Sequence, residues 1–273
     1  MTLILVTSVH DELYVLADTE FGQAGKTGSQ VGPKVFLIPI QAIDLDGANT
    51  RTFPSMGFAF AGNVLSGQFT HSLASTCLQN LVGGTTKEDV QVGDVAAVYA
   101  KAAEQIVLER WRHAKLSGYG FEGVIFGRSS GGLTGAFRLD VGIDDGEAHA
   151  LVEEMDFSKT KMHPIGSGAS SARARIDSLV KAGIPLRPVE IMDYVIDDPE
   201  VLSVSGTVQL AVTTKNGVEL RPIIRHRSDR AGEFLLLGVN ILSLGMVGSY
   251  IPIGTPISVD APFEHVSDFE VHG

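Results

Sequence analysis

MTLILVTSVHDELYVLAD, residues 1–18, is the stretch on which the reading of this chain turns. Residues 3–6 are an apolar run, His10-Asp11 is a polar step, and Leu13, Val15 and Ala17 alternate with Tyr14, Leu16 and Asp18. Apolar runs on either side of a short polar step predict two strands, residues 3–9 and 12–18, folded back on each other. The first run is no secretory leader, which needs a basic n-region and about 7–15 apolar residues; no Lys or Arg precedes it. Thr2 is therefore expected to begin the mature chain.

The 273 residues are 44% hydrophobic and 19% charged, enough for one large domain or two small ones with a sizeable core. A net charge of −11 argues against nucleic-acid binding, which needs a basic face. Cys77 is the single cysteine, so no disulfide framework exists and a reducing, cytoplasmic location is expected. The eight histidines are scattered without metal-ligand spacing, so no metal is expected. Residues 234–251 carry no charge but are broken by Gly238, Gly245 and Gly248. They are read as a buried segment rather than a membrane span.

Further along, residues 35–40 and 57–61 read as strands, with a Gly/Ser-rich loop over 22–33 and a long connection over 44–55. Leu65, Phe69, Leu73, Cys77 and Leu81 recur every four residues and predict a helix, on which Cys77 is a small buried hydrophobe. Thr85-Thr86-Lys87-Glu88 is a capping-box pattern for a second helix reaching about His113. Strands follow near 123–126, 133–139 and 149–153. Helices are expected over 170–182 and from Pro188 to before Pro199, then a hairpin, 208–213 and 218–224, across Asn216-Gly217. The order suits an α+β fold of two antiparallel sheets stacked face to face, each covered by a helix pair: a four-layer α-β-β-α sandwich. It would occupy residues 1–226. Residues 227–273 would form a C-terminal extension packed on the core or on a neighbouring subunit.

Gly127-Arg128-Ser129-Ser130-Gly131 matches a nucleophile elbow, but a strand rather than a helix follows it, so a hairpin turn explains it better. The Gly166–Ser171 stretch reads as a tight turn and helix cap. Thr2 offers different chemistry. A hydroxyl is a poor nucleophile without a base. With Met1 removed, Thr2 would carry a free α-amine, pKa near 8, able to take the proton of its own hydroxyl. A cation should then lower the hydroxyl's pKa, and an anion should hold that cation. Asp18 lies 16 residues after Thr2 and Lys34 a further 16, at strand ends that a returning hairpin brings near the chain start. Taken singly, each reads as a surface charge flanking a loop.

Together these residues resemble the proteasome β-subunit family, including the bacterial proteasome-like peptidases, all N-terminal nucleophile (Ntn) hydrolases. The matching features are Thr2, Ala17-Asp18, Lys34-Val35-Phe36, Ala61-Gly62 and Gly166-Ser167-Gly168, in that order. The resemblance implies a proteasome-like fold and threonine-dependent peptide hydrolysis. Thr2 would be the nucleophile, and Lys34 would lower its pKa. Asp18 would hold Lys34, the Gly62 N–H would stabilise the oxyanion, and Ser167 would bond near the Thr2 amine. It also implies a homo-oligomeric ring, a peptide or unfolded polypeptide substrate and an unfoldase of unknown identity. No cofactor, nucleic acid or membrane is implied. Thr19-Glu20 stands where many relatives have Ser-Arg, and Ala169 where they have Ser. The family's supporting Asp-x-x-Ser stays open between Glu200–Ser203 and the rivals Asp197, Asp198 and Ser205. Two other functions remain: an inactive ring-forming scaffold, or an amidase acting on a small molecule with the same nucleophile.

Overall fold

The computed structural model describes residues 2–23, 26–29, 32–45, 47, 49–83, 89–114, 118–129, 131–224, 233–245 and 258–259. β1 (Leu3–Val9) and β2 (Glu12–Asp18) pair antiparallel, Ile4 opposite Ala17. They reverse through His10 and Asp11, both at positive φ (47° and 64°), which matches the twist of paired strands. The region expected to be loop contains a two-stranded ribbon, β3 (Phe21–Gln23) and β4 (Lys26–Ser29). β5 (Val35–Asp44) and β6 (Thr50–Gly62) run on into the expected connection. Then come α1 (Val64–Leu78), β7 (Leu81–Gly83), α2 (Val92–Ala114), β8 (Phe121–Arg128), β9 (Thr134–Asp144), β10 (Glu147–Glu154) and β11 (Met162–Gly166). The chain continues through α3 (Ala169–Lys181), α4 (Pro188–Ile196), β12 (Val208–Thr214) and β13 (Gly217–Arg221). A small sheet of β14 (Ile223–Ile224), β15 (Phe234–Leu236), β16 (Val239–Asn240) and β17 (Ser258–Val259) follows.

The expected four-layer α-β-β-α sandwich is not what forms. Eleven of the strands make one mixed, strongly curled sheet, in the order β10-β9-β8-β6-β13-β12-β2-β1-β11, with β5 branching from β6 and β7 paired to β5. The reason is a seam. β13 runs parallel to β6 with Gly217 opposite Ser55. There Ser55 Oγ accepts the Val218 N–H and donates to the Val218 carbonyl, each at 3.1 Å. What alternation suggested as two separate sheets is thus hydrogen-bonded into one. α1 and α2 cover the β5–β10 region through a cluster built on Phe58, Phe60, Tyr99 and Phe121. α3 and α4 cover β1, β2 and β12 through Leu3, Leu16, Ile191 and Val195. A third cluster, including Ile4, Val15, Ala59, Val124 and Ala211, fills the inside of the curl.

Helix α1 forms where the four-residue repeat placed it, but the repeat faces outward. Leu65 and Phe69 are each 49% exposed, and Cys77 is exposed rather than a buried hydrophobe. Ser66, Gly67, Thr70, Ala74 and Ser75 face the sheet instead. Small residues are needed because the helix lies so close. A Cβ on Gly67 would sit 2.4 Å from the Phe60 ring. The capping box at 85–88 lies outside the described residues; at the start of α2, Asp94 Oδ2 accepts the Gln91 N–H at 2.9 Å. Of the glycine-rich stretch 127–131, Gly127 and Arg128 end β8, which pairs antiparallel with β9, and Ser130 lies outside the described residues. Among the described residues no helix is long and apolar enough to cross a membrane. Of the uncharged segment 234–251, residues 246–251 lie outside the description. In the rest, Leu235 and Ile241 are buried, and Gly238 approaches Thr19 and Thr207.

Two consequences are measurable. Gly217 sits at φ +119° with its missing Cβ 2.6 Å from the Ser55 backbone nitrogen. Gly217→Ala should therefore strain the seam from both sides, lowering stability by about 2–4 kcal/mol in urea unfolding. His71 of α1 packs on Phe36 and Phe58 and shares a 2.8 Å hydrogen bond with Tyr99 Oη. Burial pulls its pKa down to about 4. Because that lies below the unfolded value near 6.5, the unfolded chain binds the extra proton between them. The contribution is complete above pH 6.5 and drains as pH falls to 4, by at most about 3 kcal/mol. His71→Phe should lose that part of the acid sensitivity when urea midpoints are compared at pH 7 and pH 4.5.

Candidate active site

The ends of three strands meet around residue 2. Thr2 is buried just ahead of β1, and its nitrogen donates to Ser167 Oγ at 3.0 Å. The same Oγ lies 3.3 Å from the Thr2 carbonyl oxygen and 3.1 Å from Ser203 Oγ. The Gly168 N–H reaches the Thr2 carbonyl at 3.4 Å. Gly166, last residue of β11, stands at φ +90°, and a Cβ there would come within 2.4 Å of the Thr2 carbonyl oxygen. Only glycine lets the Gly166-Ser167-Gly168 turn close on the chain start this tightly.

Asp18 closes β2, fully buried. Its Oδ1 accepts the Leu3 N–H at 2.9 Å, and its Oδ2 accepts from Lys34 Nζ at 2.8 Å. Lys34 is 1% exposed, its ammonium 5.4 Å from the centre of the Phe21 ring. Burial pulls the Lys34 pKa down, against the opposing pull of the Asp18 and Glu20 carboxylates. Burial likewise pushes the Asp18 carboxyl up, opposed by Lys34 and by the Leu3 and Glu20 N–H groups. Glu20, the residue that departs from the Ser-Arg pattern, is itself buried.

Gln209 of β12 holds this pair, and sequence reasoning passed over it. Its Oε1 accepts the Lys34 and Val35 N–H groups at 3.0 and 3.4 Å. Its Nε2 donates to the Asp18 and Gly32 carbonyls at 3.2 and 2.7 Å. The one signal was an amide inside the otherwise apolar run Val208-Gln209-Leu210-Ala211-Val212. One side chain thereby ties the end of β2 to the start of β5, leaving no polar atom of the bracket unmatched.

Gly62 ends β6 at φ +114°, where a Cβ would fall 2.9 Å from Phe121 Cα. It lines a pocket of about 290 Å³ together with Thr2, Gly120, Glu122, Asp140 and Ser167. Thr2, Gly62 and Ser167 therefore share one cavity, while Asp18 and Lys34 are joined to the chain start through the Leu3 amide. Of the residues left open after α4, Ser203 reaches Ser167. Asp198 instead accepts from Ser171 Oγ and from the Glu200 N–H, and Ser205 offers its carbonyl to Glu20. Among the described residues no three His, Cys, Asp or Glu side chains gather to hold a metal ion. The arrangement presents a threonine on the wall of a cavity and, tied to its neighbour Leu3, a buried ammonium with its counter-ion.

No protein-family model matches the sequence, and no curated protein matches it. Solved structures do share its fold. Anbu (ancestral beta-subunit) from Yersinia bercovieri superposes with a TM-score of 0.55 at 15% identity, over 77% of this chain and 81% of that one. Anbu from Pseudomonas aeruginosa, described as a helical assembly of the Anbu complex, gives 0.54 at 13% identity, over 77% and 80%. The family expectation is corrected accordingly. These neighbours are Anbu proteins, proteasome-like but distinct from the proteasome β-subunits and bacterial proteasome-like peptidases that the motifs suggested. Short motifs around a terminal threonine do not separate such families. At these identities, the likeness establishes the fold alone.

Proposed function

We propose that this protein is an N-terminal threonine hydrolase that cleaves peptide bonds once Met1 has been removed. The observation that carries the reading is the Asp18–Lys34 ion pair, buried at 0% and 1% exposure and bonded to the amide next to Thr2. A buried ion pair is a poor source of stability compared with apolar packing. Buried, strongly perturbed charges beside a cavity are common at catalytic sites.

In this mechanism the Thr2 hydroxyl proton passes to the freed α-amine, directly or through water, as Oγ bonds to the peptide carbonyl carbon. The Lys34 ammonium favours the alkoxide by its charge, and Asp18 keeps that ammonium in place. The Gly62 N–H stabilises the oxyanion, an interaction worth about 3–4 kcal/mol in comparable sites. The C–N bond then breaks, the α-ammonium returns a proton to the leaving amine, and water hydrolyses the Thr2 ester. Ser167, with Ser203 behind it, orients the amine. We also infer assembly with further copies of the chain. The outward stripe of Leu65, Phe69 and Leu73 offers an apolar face of the kind that assembly covers, and the Pseudomonas aeruginosa neighbour forms a helical assembly.

A second reading, an inactive scaffold, draws on Glu20. Its carboxylate opposes the loss of a proton from Lys34 and offsets part of the positive charge felt at Thr2.

Intact mass should show loss of one methionine, and a peptide epoxyketone should add once, at Thr2. Thr2→Ala should abolish both labelling and peptide cleavage while the thermal midpoint stays near wild type. Retained Met1, or equal labelling of Thr2→Ala, would refute the hydrolase. Lys34→Met leaves the Asp18 carboxylate buried without its cation, so it should lower stability by about 3–5 kcal/mol. The double variant Asp18→Asn/Lys34→Met should recover much of that stability in urea unfolding, yet remain at least about 100-fold less active.

A further inference from the structure

We propose that Glu122 is a positioning residue for the Thr2 amine, acting through the Gly166-Ser167-Gly168 turn; this rests on the hydrolase reading above. Glu122 belongs to β8, opposite Ala61 on β6 and Asp140 on β9. Gly166 belongs to β11, an end strand of the curled sheet, opposite Leu3 of β1. Glu122 Oε2 accepts the Gly166 N–H at 3.0 Å, spanning 44 residues of chain. Its other oxygen, Oε1, is taken by Arg138 Nη2, which also lies 3.8 Å from Asp140. One carboxylate is therefore held by a guanidinium on one side and clasps a backbone amide on the other.

The clasped amide belongs to the residue with the least freedom in the site. Gly166 is at φ +90°, and even a methyl group there would overlap the Thr2 carbonyl. The next residue, Ser167, carries the oxygen on which the Thr2 nitrogen rests. A charge-assisted hydrogen bond to the Gly166 N–H is stronger than a neutral one and directional. It fixes the plane of the peptide entering the turn, and with it the height of Ser167 Oγ beneath Thr2. Glu122 also lines the cavity shared by Thr2, Gly62 and Ser167, so the clasp forms part of its wall. Displacing a reacting group by about 1 Å costs on the order of 100-fold in rate. Glu122 thus contributes to turnover without touching the reacting atoms.

The test compares Glu122→Asp with Glu122→Gln in the full chain. Aspartate keeps the charge but withdraws it by one methylene; glutamine keeps the reach but loses the charge and has one acceptor oxygen for the two donors, the Gly166 N–H and Arg138. Two quantities are read: kcat and KM on a peptide substrate, and the exchange rate of the single Gly166 amide by fragmentation-resolved hydrogen exchange. Glu122→Asp should lower kcat about 10-fold with KM within about 2-fold, and should speed Gly166 exchange at least about 10-fold. Glu122→Gln, short of the charge and of one acceptor, should shift both in the same direction but less, by about 3- to 5-fold. If Glu122→Asp does not fold, Arg138→Met, which frees Oε1, should give the same two changes at smaller size. Wild-type kcat in Glu122→Asp, a change in KM alone, or lost activity with unchanged Gly166 exchange would each overturn the proposal. If wild-type protein cleaves no peptide and takes no epoxyketone, peptide hydrolysis fails instead. The Gly166 exchange comparison then decides the clasp by itself: faster exchange in Glu122→Asp sustains it, and unchanged exchange removes it.

Discussion

Lys34 and Asp18 are two opposite charges taken out of water, and the surrounding chain is arranged to make that tolerable. Each isolated charge would cost several kcal/mol to bury. Their 2.8 Å contact and the Leu3 amide on the other Asp18 oxygen replace part of what water would have supplied, and the four bonds of Gln209 fix the backbone that carries both residues. Meeting those demands aligns β1, β2, β12 and the start of β5. The pair acts less as a source of stability than as a registration device, because a shift of any one of these strands would leave a buried charge unmatched. Burial also sets the direction of both pKa shifts, and Asp18 ties the Lys34 ammonium to the Leu3 amide by that same geometry.

The curl of the sheet does the rest of the placing. At the Ser55–Gly217 seam, the α1/α2 side joins the α3/α4 side by backbone pairing and one serine hydroxyl. Elsewhere the two sides touch across the interior cluster, through the bonds of Asp18 and Gln209 to the start of β5, and through the reach of Glu122 to Gly166. Three glycines at positive φ stand at close approaches to the backbone of another segment: Gly62 against Phe121, Gly166 against Thr2 and Gly217 against Ser55. Each stands where a Cβ would force apart segments that are distant in sequence. The first two of these glycines both line the cavity that Thr2 faces.

Local chemistry alone was enough to read the opening hairpin, the four helices and most strands. Alternation across His10-Asp11, Pro188 at a helix start and Asn216-Gly217 are signals whose physics acts within a few residues. Thr2, Asp18 and Lys34 stood out because a terminal hydroxyl, an acid and an amine at strand ends form a chemically meaningful set. Gly62 and Ser167 entered through a family resemblance, whereas the structural neighbours are Anbu proteins, distinct from the family that suggested them. Gln209 and Glu122 could not be read, since each acts on backbone far away in the chain: Gln209 on residues 175 and 191 positions away, Glu122 on one 44 away.

What the sequence determined by itself was therefore periodicity: which segments are helical or extended, and which residues carry chemistry. It did not determine lateral neighbours or facing. Alternation assigns a residue to one side of a strand but says nothing about which strand lies beside it, so two sheets were expected where one curled sheet forms. The repeat of Leu65, Phe69 and Leu73 likewise predicted a helix but not that this stripe would face outward. Close packing decided that, because only the face carrying Ser66, Gly67 and Ala74 is thin enough to lie against Phe60.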